Sequence, residues 1–258
     1  MTDRAPAGPG VDAMSFVAAA RERIDYVAST QQEAVAAAAE LLLAAMRAGG
    51  VVHAFGSGHS QALAMEIAGR AGGLIPTNMI ALRDVVMYGS RTPRQLLNEK
   101  LERNPAIAKE IFDLAPIGEN DVVVIASNSG INGAIVEFAT LVAERGLPIV
   151  AITSLAHSDV VESRHPSGKK LKDLATVVID NGAPFGDAVL PLPGGGAACG
   201  VSSITAALIA QMIVAEVLRR QIAAGDELLV YRSANVPDGD AHNTELEARY
   251  TGRIRRSA

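Results

Sequence analysis

The sequence of 258 residues is long enough for one large α/β domain or two small domains. Hydrophobic residues amount to 49% and aromatic residues to only 3%, so the apolar mass is Ala, Val, Ile and Leu. This composition suits helices packed on a buried parallel sheet. A net charge of −5, without a basic block interleaved with aromatic residues, argues against a nucleic-acid-binding protein.

The cysteine content and the absence of apolar spans predict a cytoplasmic protein. Cys199 is the only cysteine, so no intrachain disulfide supports secretion. The N-terminus shows no charged-then-apolar leader. The Ala-rich stretch 35–48 contains Glu40 and is too short to span a bilayer, so no membrane partner is expected.

The first half of the chain contains a strand–turn–helix unit. Residues 1–12 are predicted to be a flexible tail, and apolar residues then recur at helical spacing over 14–47. Residues 51–55 predict a short buried strand. The turn Gly56-Ser57-Gly58-His59-Ser60 follows it directly and leads into an amphipathic helix over 61–71.

A second unit of the same kind follows, and strands and helices continue to alternate after it. Residues 121–126 form an apolar run typical of a central parallel strand, and the turn Ser127-Asn128-Ser129-Gly130 leads into helical spacing over 131–144. Further strands and a long helix are predicted at 78–82, 149–153, 176–180 and 201–220. This alternation predicts βαβ crossovers and a three-layer, doubly wound parallel sheet of flavodoxin or Rossmann type.

These elements also predict the domain organisation. Residues 13–225 are expected to form one domain that includes the N-terminal helix. Residues 226–258, with a strand-like piece at 228–231 and a short helix, are expected to pack as a C-terminal extension on the domain or on a partner subunit. Long loops, which tend to be functional in compact domains, are predicted at 83–104, 155–172 and 181–200.

The two turns have the chemistry of anion-binding sites. Gly56 and Gly58 match the start of a dinucleotide fingerprint, but Gln61 stands at its third glycine and no acidic residue ends the strand at 78–82. The chain also lacks the Gly-Lys-Ser/Thr that a Walker loop requires. No nucleotide or redox cofactor is therefore predicted. Backbone N–H groups and hydroxyls at two helix starts favour an anion, although such hydroxyls also simply cap helices.

The two turns resemble the phosphosugar-binding turns of SIS-domain proteins, the family of sugar isomerases. More narrowly, the chain resembles the UPF0309 or phosphoheptose isomerase-like group over nearly its whole length. Other segments that match this group include Ile152-Thr153-Ser154-Leu155, Ser163-Arg164-His165, Val178-Ile179-Asp180-Asn181 and Gly186-Asp187-Ala188-Val189-Leu190. The resemblance implies a SIS fold, no cofactor, and aldose–ketose isomerisation of an anionic sugar through a cis-enediol.

The resemblance also implies a substrate-binding set. Its members are Gly56, Ser57, Gly58, Ser60, Ser127, Asn128, Ser129, Asn132, Arg164 and Lys169. Asn132 stands where most SIS turns have threonine, which leaves the anionic group open between phosphate, sulfonate and carboxylate. Ser202 and Ser203 open the long helix and are expected either to cap it or to touch the ligand.

Isomerisation requires a general base whose pKa lies near neutrality. Glu66, almost two helical turns after Ser60, is the first candidate, with a surface ion pair to Arg70 as the alternative. His59 and His165 are candidates for proton transfer, each with a structural alternative.

Two further carboxylates lie in the middle segment. Glu99 and Glu102 are alternative bases, and their structural alternative is a charged helix face shared with Lys100 and Arg103. The long helix carries Gln211 and no histidine, so no metal site is predicted.

Assembly and a non-catalytic role complete the expectations. The Ala-rich first and last long helices have apolar faces wider than one sheet needs, which predicts a homodimer or homotetramer. A sugar-phosphate sensor without catalysis, built on the same fold, is the alternative to an isomerase.

Overall fold

The computed structural model describes residues 10–97 and 101–256. The elements are α1 (Ala13–Thr30), α2 (Gln32–Arg47), β1 (Val52–Gly56), α3 (Gln61–Ile67), β2 (Thr77–Ile80), α4 (Asp84–Met87), α5 (Pro93–Leu96), α6 (Ala106–Leu114), β3 (Val122–Ala126), α7 (Gly133–Glu144), β4 (Ile149–Thr153), α8 (Leu155–Ser158), α9 (Leu171–Leu174), β5 (Val177–Asp180), β6 (Ala188–Pro191), β7 (Ala197–Gly200), α10 (Ser202–Ala224) and α11 (Gly239–Glu247).

The centre of the fold is a sheet of 5 strands in the order β2-β1-β3-β4-β5. All its neighbouring strands pair in parallel. Strands β1, β3 and β4 are buried along their whole length, as expected for strands covered by helices on both faces. The predicted doubly wound α/β class is therefore confirmed, and the strand order reverses between β1 and β3.

Helices pack on both faces of the sheet and create two apolar cores. On one face, α2, α3 and α10 contribute residues such as Leu42, Leu63 and Ile213. On the other face, α6 and α7 pack around Phe138, whose ring centroid lies 4.5 Å from that of Phe55 and 5.7 Å from that of Phe112. The three layers follow from these two cores.

Helix α10 is the only helix in the described residues that is long and apolar enough to cross a membrane by length and composition alone. It packs against α2 and α3 and buries Ile209, Ile213 and Val217 in the core. Core helices of this kind pass the same test.

The helical pattern predicted over 14–47 forms two helices. Gln31, with φ −105° and ψ 11°, separates α1 from α2. Its side-chain oxygen accepts a hydrogen bond from the backbone N–H of Asp180 at 3.0 Å. The residue at the break between the two helices is thus the one whose side chain reaches the end of β5. Of the predicted tail, residues 1–9 lie outside the described part, and Asp12 caps α1 by accepting from the N–H groups of Met14 and Ser15.

Three other elements differ from the sequence expectations. The helix after the first turn ends at Ile67, because Gly69 has φ +74°. The loop expected at 181–200 contains the antiparallel hairpin of β6 and β7. The strand-like piece at 228–231 forms a single antiparallel bridge, between Val230 and Leu74.

The C-terminal segment, residues 226–256, packs on the domain itself. The backbone N–H of Tyr231 donates to Gly73 O at 2.9 Å, and the N–H of Ile75 donates to Leu229 O at 2.9 Å. Farther on, the guanidinium of Arg253 reaches the carboxylate of Asp121, which precedes β3. The segment thus contacts the chain just before the amino ends of both β2 and β3.

Candidate functional site

The first turn, Gly56–Ser60, follows β1 at its carboxyl end. A Cβ atom on Gly56 would clash with the carbonyl oxygen of Ser60, and Gly58 has φ +56°. Both positions therefore need glycine, which lets the chain reverse within a few residues. The reversal brings His59 and Ser60 to the start of α3.

The second turn, residues 127–132, follows the neighbouring strand β3. The hydroxyl of Ser127 accepts from the N–H of Gly130 at 3.2 Å, and Gly130 has φ +67°. Asn128 accepts at Oδ1 from Asn181 Nδ2 at 3.0 Å. This orientation leaves the Asn128 amide hydrogens without an acceptor among the described residues, and they remain available to a ligand.

The two turns meet in one cleft at the carboxyl ends of the strands. The cleft is narrow, with a cavity volume of about 10 Å³ within about 270 Å³ of space that includes open solvent. It is lined by His59, Ser60, Ala62, Leu63, Ala126, Asn128, Ile152, Asn181, Ser202, Ser203 and Ala206. Its polar lining consists of hydroxyls, amides and one imidazole, with no carboxylate. The cleft lies where the strand order reverses, the position at which doubly wound sheets bind ligands.

The third wall is the start of α10. Asp187, with φ +72°, accepts at Oδ1 from the N–H groups of Val201 and Ser202 at 3.1 and 2.8 Å. The Ser202 hydroxyl donates to the same carboxylate at 2.8 Å. Asp187 therefore caps α10, and Ser202, bound to Asp187, lines the cleft. The exposed Ser203 faces the cleft without a hydrogen bond within the described part of the chain.

The structure separates the predicted binding residues into three groups. His59, Ser60 and Asn128 line the cleft, and Gly56 and Gly58 shape its first turn. The side chains of Ser57 and Ser127 are buried and are engaged in hydrogen bonds with Glu102 and with the Gly130 N–H. The others, outside the lining of the cleft, are Ser129, Asn132, Arg164 and Lys169.

Arg164 and Asn132 bind each other beside the second turn. The guanidinium Nη1 of Arg164 donates to Asn132 Oδ1 at 2.8 Å, and the Arg164 backbone N–H donates to Ile131 O at 3.1 Å. Lys169 is exposed in the same loop. The Arg164 side chain thus holds the second turn from outside the cleft.

Glu102 is the carboxylate that the structure brings to the first turn. Ser57 donates its hydroxyl hydrogen to Glu102 Oε2 at 3.3 Å. The same oxygen lies 3.4 Å from the place that a Cβ on Gly58 would occupy. Glu102 therefore does not belong to a solvated helix face, the alternative that its charged neighbours had suggested. Glu99 lies outside the described residues.

Glu66 makes the ion pair that was its alternative interpretation. Its carboxylate accepts from Arg70 one turn later on α3 and from Gln211 Nε2 of α10 at 2.7 Å. The side chain is 24% exposed and lies one turn beyond Leu63, outside the lining of the cleft. Gln211, which the long helix carries in the absence of a histidine, thus lies between α3 and α10.

His165 is fixed by two side chains outside the cleft. Its Nε2 lies 2.7 Å from Glu137 Oε2 on α7, and its Nδ1 lies 2.7 Å from the hydroxyl of Ser167. Only 9% of its side chain is exposed. The histidine therefore ties the loop before α9 to α7.

Sequence reasoning did not single out Asn181 or Asp187 as site residues. Asn181 follows β5 directly, so the rule that ligands bind beyond the carboxyl ends of strands would have found it. Asp187 acts through the helix start that it caps, a contact between distant segments. Among the described residues, no group of three His, Cys, Asp or Glu side chains is arranged to hold a metal ion.

Comparison with known proteins gives a consistent family. The SIS domain matches residues 15–154. A UPF0309 protein of Listeria monocytogenes is 36% identical over 243 residues, which cover 93% of this chain and 98% of that protein.

Two solved structures share the fold. A phosphoheptose isomerase from Francisella tularensis has a TM-score of 0.55 at 17% identity and covers 79% of this chain and 95% of its own. The Vibrio vulnificus NanR protein complexed with ManNAc-6P has a TM-score of 0.50 at 15% identity and covers 93% of this chain and 69% of its own.

Proposed function

Because this chain belongs to the SIS-domain family, and within it to the UPF0309 group, we propose that it isomerises a small anionic sugar between aldose and ketose forms. The observation that carries the proposal is the approach of Glu102 to the first turn, next to a cleft whose own lining contains no carboxylate. Such a site has donors for an anion and one acceptor for a proton.

The chemistry of the cleft lining supports binding of the anionic end of a substrate. Ser60, Asn128 and Ser203 present hydroxyl and amide donors from three separate elements. Helices α7 and α10 begin at the same edge of the sheet, and their N-terminal partial charges favour an anion. The lack of a lining carboxylate removes the repulsion that would oppose phosphate or sulfonate.

Glu102 is the proposed general base. It would take the proton from C2 of the aldose while O1 gains a proton, which gives the cis-enediol. Return of the carbon-bound proton to C1, with loss of the proton on O2, then gives the ketose. The hydroxyl of Ser57 orients the carboxylate, and His59 is the cleft residue that can exchange protons with O1 and O2.

Glu66 is the competing base. It lies one turn farther along α3 and is already bound by Arg70 and Gln211. Its carboxylate is thus engaged by two donors and lies outside the lining of the cleft. Substitution of each glutamate by glutamine therefore distinguishes the two candidate bases.

The test is exchange of the C2 proton of pentose, hexose and heptose phosphates in D₂O, followed by NMR. Glu102→Gln is expected to slow exchange by about 10²–10⁴-fold, the usual contribution of a general base. Glu119→Gln, an exposed glutamate before β3, is the matched control and should exchange like the wild type.

Each outcome separates the alternatives. Loss of exchange in Glu66→Gln with full exchange in Glu102→Gln would assign the base to Glu66. Binding of a sugar phosphate without exchange in the wild type would favour the sensor. No binding of any sugar phosphate would reject both.

A further inference from the structure

A second cavity lies beside the edge strand β2, between α4 and the C-terminal segment. This basic pocket has a cavity volume of about 210 Å³ and is lined by Met79, Arg83, Asp84, Met87, Tyr88, Arg255 and Arg256. None of these residues lines the cleft. The volume of the pocket is smaller than the roughly 300–1,000 Å³ of drug-sized ligand sites, so the pocket suits a small ligand.

The base of the pocket contains a buried carboxylate. Asp84 is 5% exposed, and its Oδ2 accepts from the backbone N–H of Ala81 at 3.1 Å. Its Oδ1 has no hydrogen-bond donor within residues 10–97 and 101–256 and is not among the fully buried atoms left without a partner, so it is open to a ligand in the pocket. Burial raises the pKa of Asp84, and the positive charges of Arg255 and Arg83 partly oppose that rise.

Two guanidiniums face this carboxylate without being paired to any other. Arg83 is exposed, and neither it nor Arg255 forms an ion pair in the described part of the chain. The guanidinium of Arg255 lies over the ring of Tyr88, 3.8 Å from its centroid, and donates to Leu114 O. Arg256 differs, because it pairs with Glu247 at 2.9 Å.

We propose that the basic pocket binds a small phosphate monoester that also carries an amine and an apolar ring. Arginine forks match the oxygens of a phosphate, and Arg83 and Arg255 supply two of them. Asp84 would accept hydrogen bonds from the amine. The ring would pack against Met87 and Tyr88, which are 65% and 45% exposed at the mouth of the pocket.

This site is independent of the isomerase proposal, because it shares no residue with the cleft. The probe is pyridoxamine 5′-phosphate, whose own fluorescence can be followed without interference in a chain that contains no tryptophan. Pyridoxine 5′-phosphate lacks the amine, and pyridoxamine lacks the phosphate. These three compounds test each contact separately.

Arg83→Gln and Arg255→Gln are each expected to weaken binding of pyridoxamine 5′-phosphate about tenfold to a hundredfold, since each removes a charged hydrogen bond. Asp84→Asn keeps an acceptor for the Ala81 N–H and should abolish the preference for the amine-bearing phosphate over pyridoxine 5′-phosphate. Arg94→Gln, an exposed arginine on α5, is the matched control, and Ser60→Ala tests the cleft.

The proposal is overturned by any of three results. The first is that the wild type does not bind pyridoxamine 5′-phosphate at millimolar concentration. The second is that Arg83→Gln binds it as tightly as the wild type. The third is that Ser60→Ala abolishes binding while Arg83→Gln retains it. Thermal unfolding of each variant distinguishes lost binding from lost structure. Arg83 is exposed, so its substitution leaves the fold intact even if Arg255→Gln loosens the C-terminal segment.

Discussion

The two ends of the same sheet carry polar side chains of opposite character. At the amino ends of β1 and β3, a polar network of His53, Asn78, Asp121 and Arg253 is closed, with each member bound to another. At the carboxyl ends, hydroxyl and amide groups line a cleft and include hydrogen-bond donors that have no acceptor among the described residues. Side chains of one sheet thus serve stability where they are mutually satisfied and ligand binding where they are not.

The polar network centres on Asp121. His53 Nε2 lies 2.8 Å from Asp121 Oδ2, and Arg253 Nη2 donates to both carboxylate oxygens at 2.7 and 2.8 Å. Burial alone would raise the pKa of Asp121, but hydrogen bonds from His53 and from the N–H groups of Gly118 and Val51 outweigh it and hold that pKa well below its ordinary range.

The largest effect is expected from Asp121→Ala. It should lower the free energy of unfolding by about 3–5 kcal/mol, because it removes the buried carboxylate that His53 and Arg253 bind. Urea denaturation measures this. Asp113→Ala is the control: Asp113 is 58% exposed in its pair with Lys109, and such surface pairs contribute about 0–1 kcal/mol. A smaller loss for Asp121→Ala than for the control would contradict a stabilising role for the polar network.

The contribution of Asp121 should also depend on pH. Its pKa is lower in the folded state than the ordinary value of 3.8, so its stabilisation is fully present above that value and is lost as the pH falls below it. The gap in free energy of unfolding between wild type and Asp121→Asn should therefore narrow below pH 3.8. A gap that widens on acidification would reverse the assigned direction.

A smaller effect is expected in the cleft from Asn128→Asp. The substitution keeps the acceptor for Asn181 but places a negative charge where an anion is proposed to bind. The free energy of binding of sugar phosphates should become less favourable by about 1–3 kcal/mol, while the free energy of unfolding changes little. Calorimetry measures the affinity, and Asn235→Asp, at an exposed position of the C-terminal segment, is the control. Equal affinities of the two variants would remove Asn128 from the site.

The smallest effects compare two serines of the two turns. Ser60→Ala should weaken sugar-phosphate binding by about 0.5–1.5 kcal/mol, the worth of one hydroxyl hydrogen bond, without a change in stability. Ser127→Ala should instead lower stability by a similar amount, because its hydroxyl accepts from the Gly130 N–H. Calorimetry and urea denaturation on both variants decide the matter, and the opposite pattern would exchange their roles.

Much of the fold was predictable from local patterns. Apolar runs such as 121–126 marked the central strands, and the glycines at 56 and 58 marked the first turn, because burial and backbone conformation depend on neighbouring residues. The break at Gln31 was not predictable, since it depends on a hydrogen bond to Asp180, far away in the chain.

The site was predictable in its place but only in part in its members. The two turns indicated the edge of the sheet and three of the side chains that line the cleft, His59, Ser60 and Asn128. The contact between Glu102 and Ser57 spans 45 residues, and the inward bond of Ser127 depends on the geometry of its turn. Helical spacing favoured Glu66, but spacing does not reveal that Arg70 and Gln211 already bind it.

The side chain of Gln31 also protects an exposed border of the sheet. Strand β5 is outermost, and its last residue is held by Gln31 from one side and by the Tyr26 hydroxyl, which donates to Asp180 Oδ2 at 2.9 Å. At the opposite border, Asn78 of β2 accepts from the Arg255 N–H at 2.8 Å. Chain segments from near the two termini therefore occupy both borders, where a strand of another molecule would otherwise add and start aggregation.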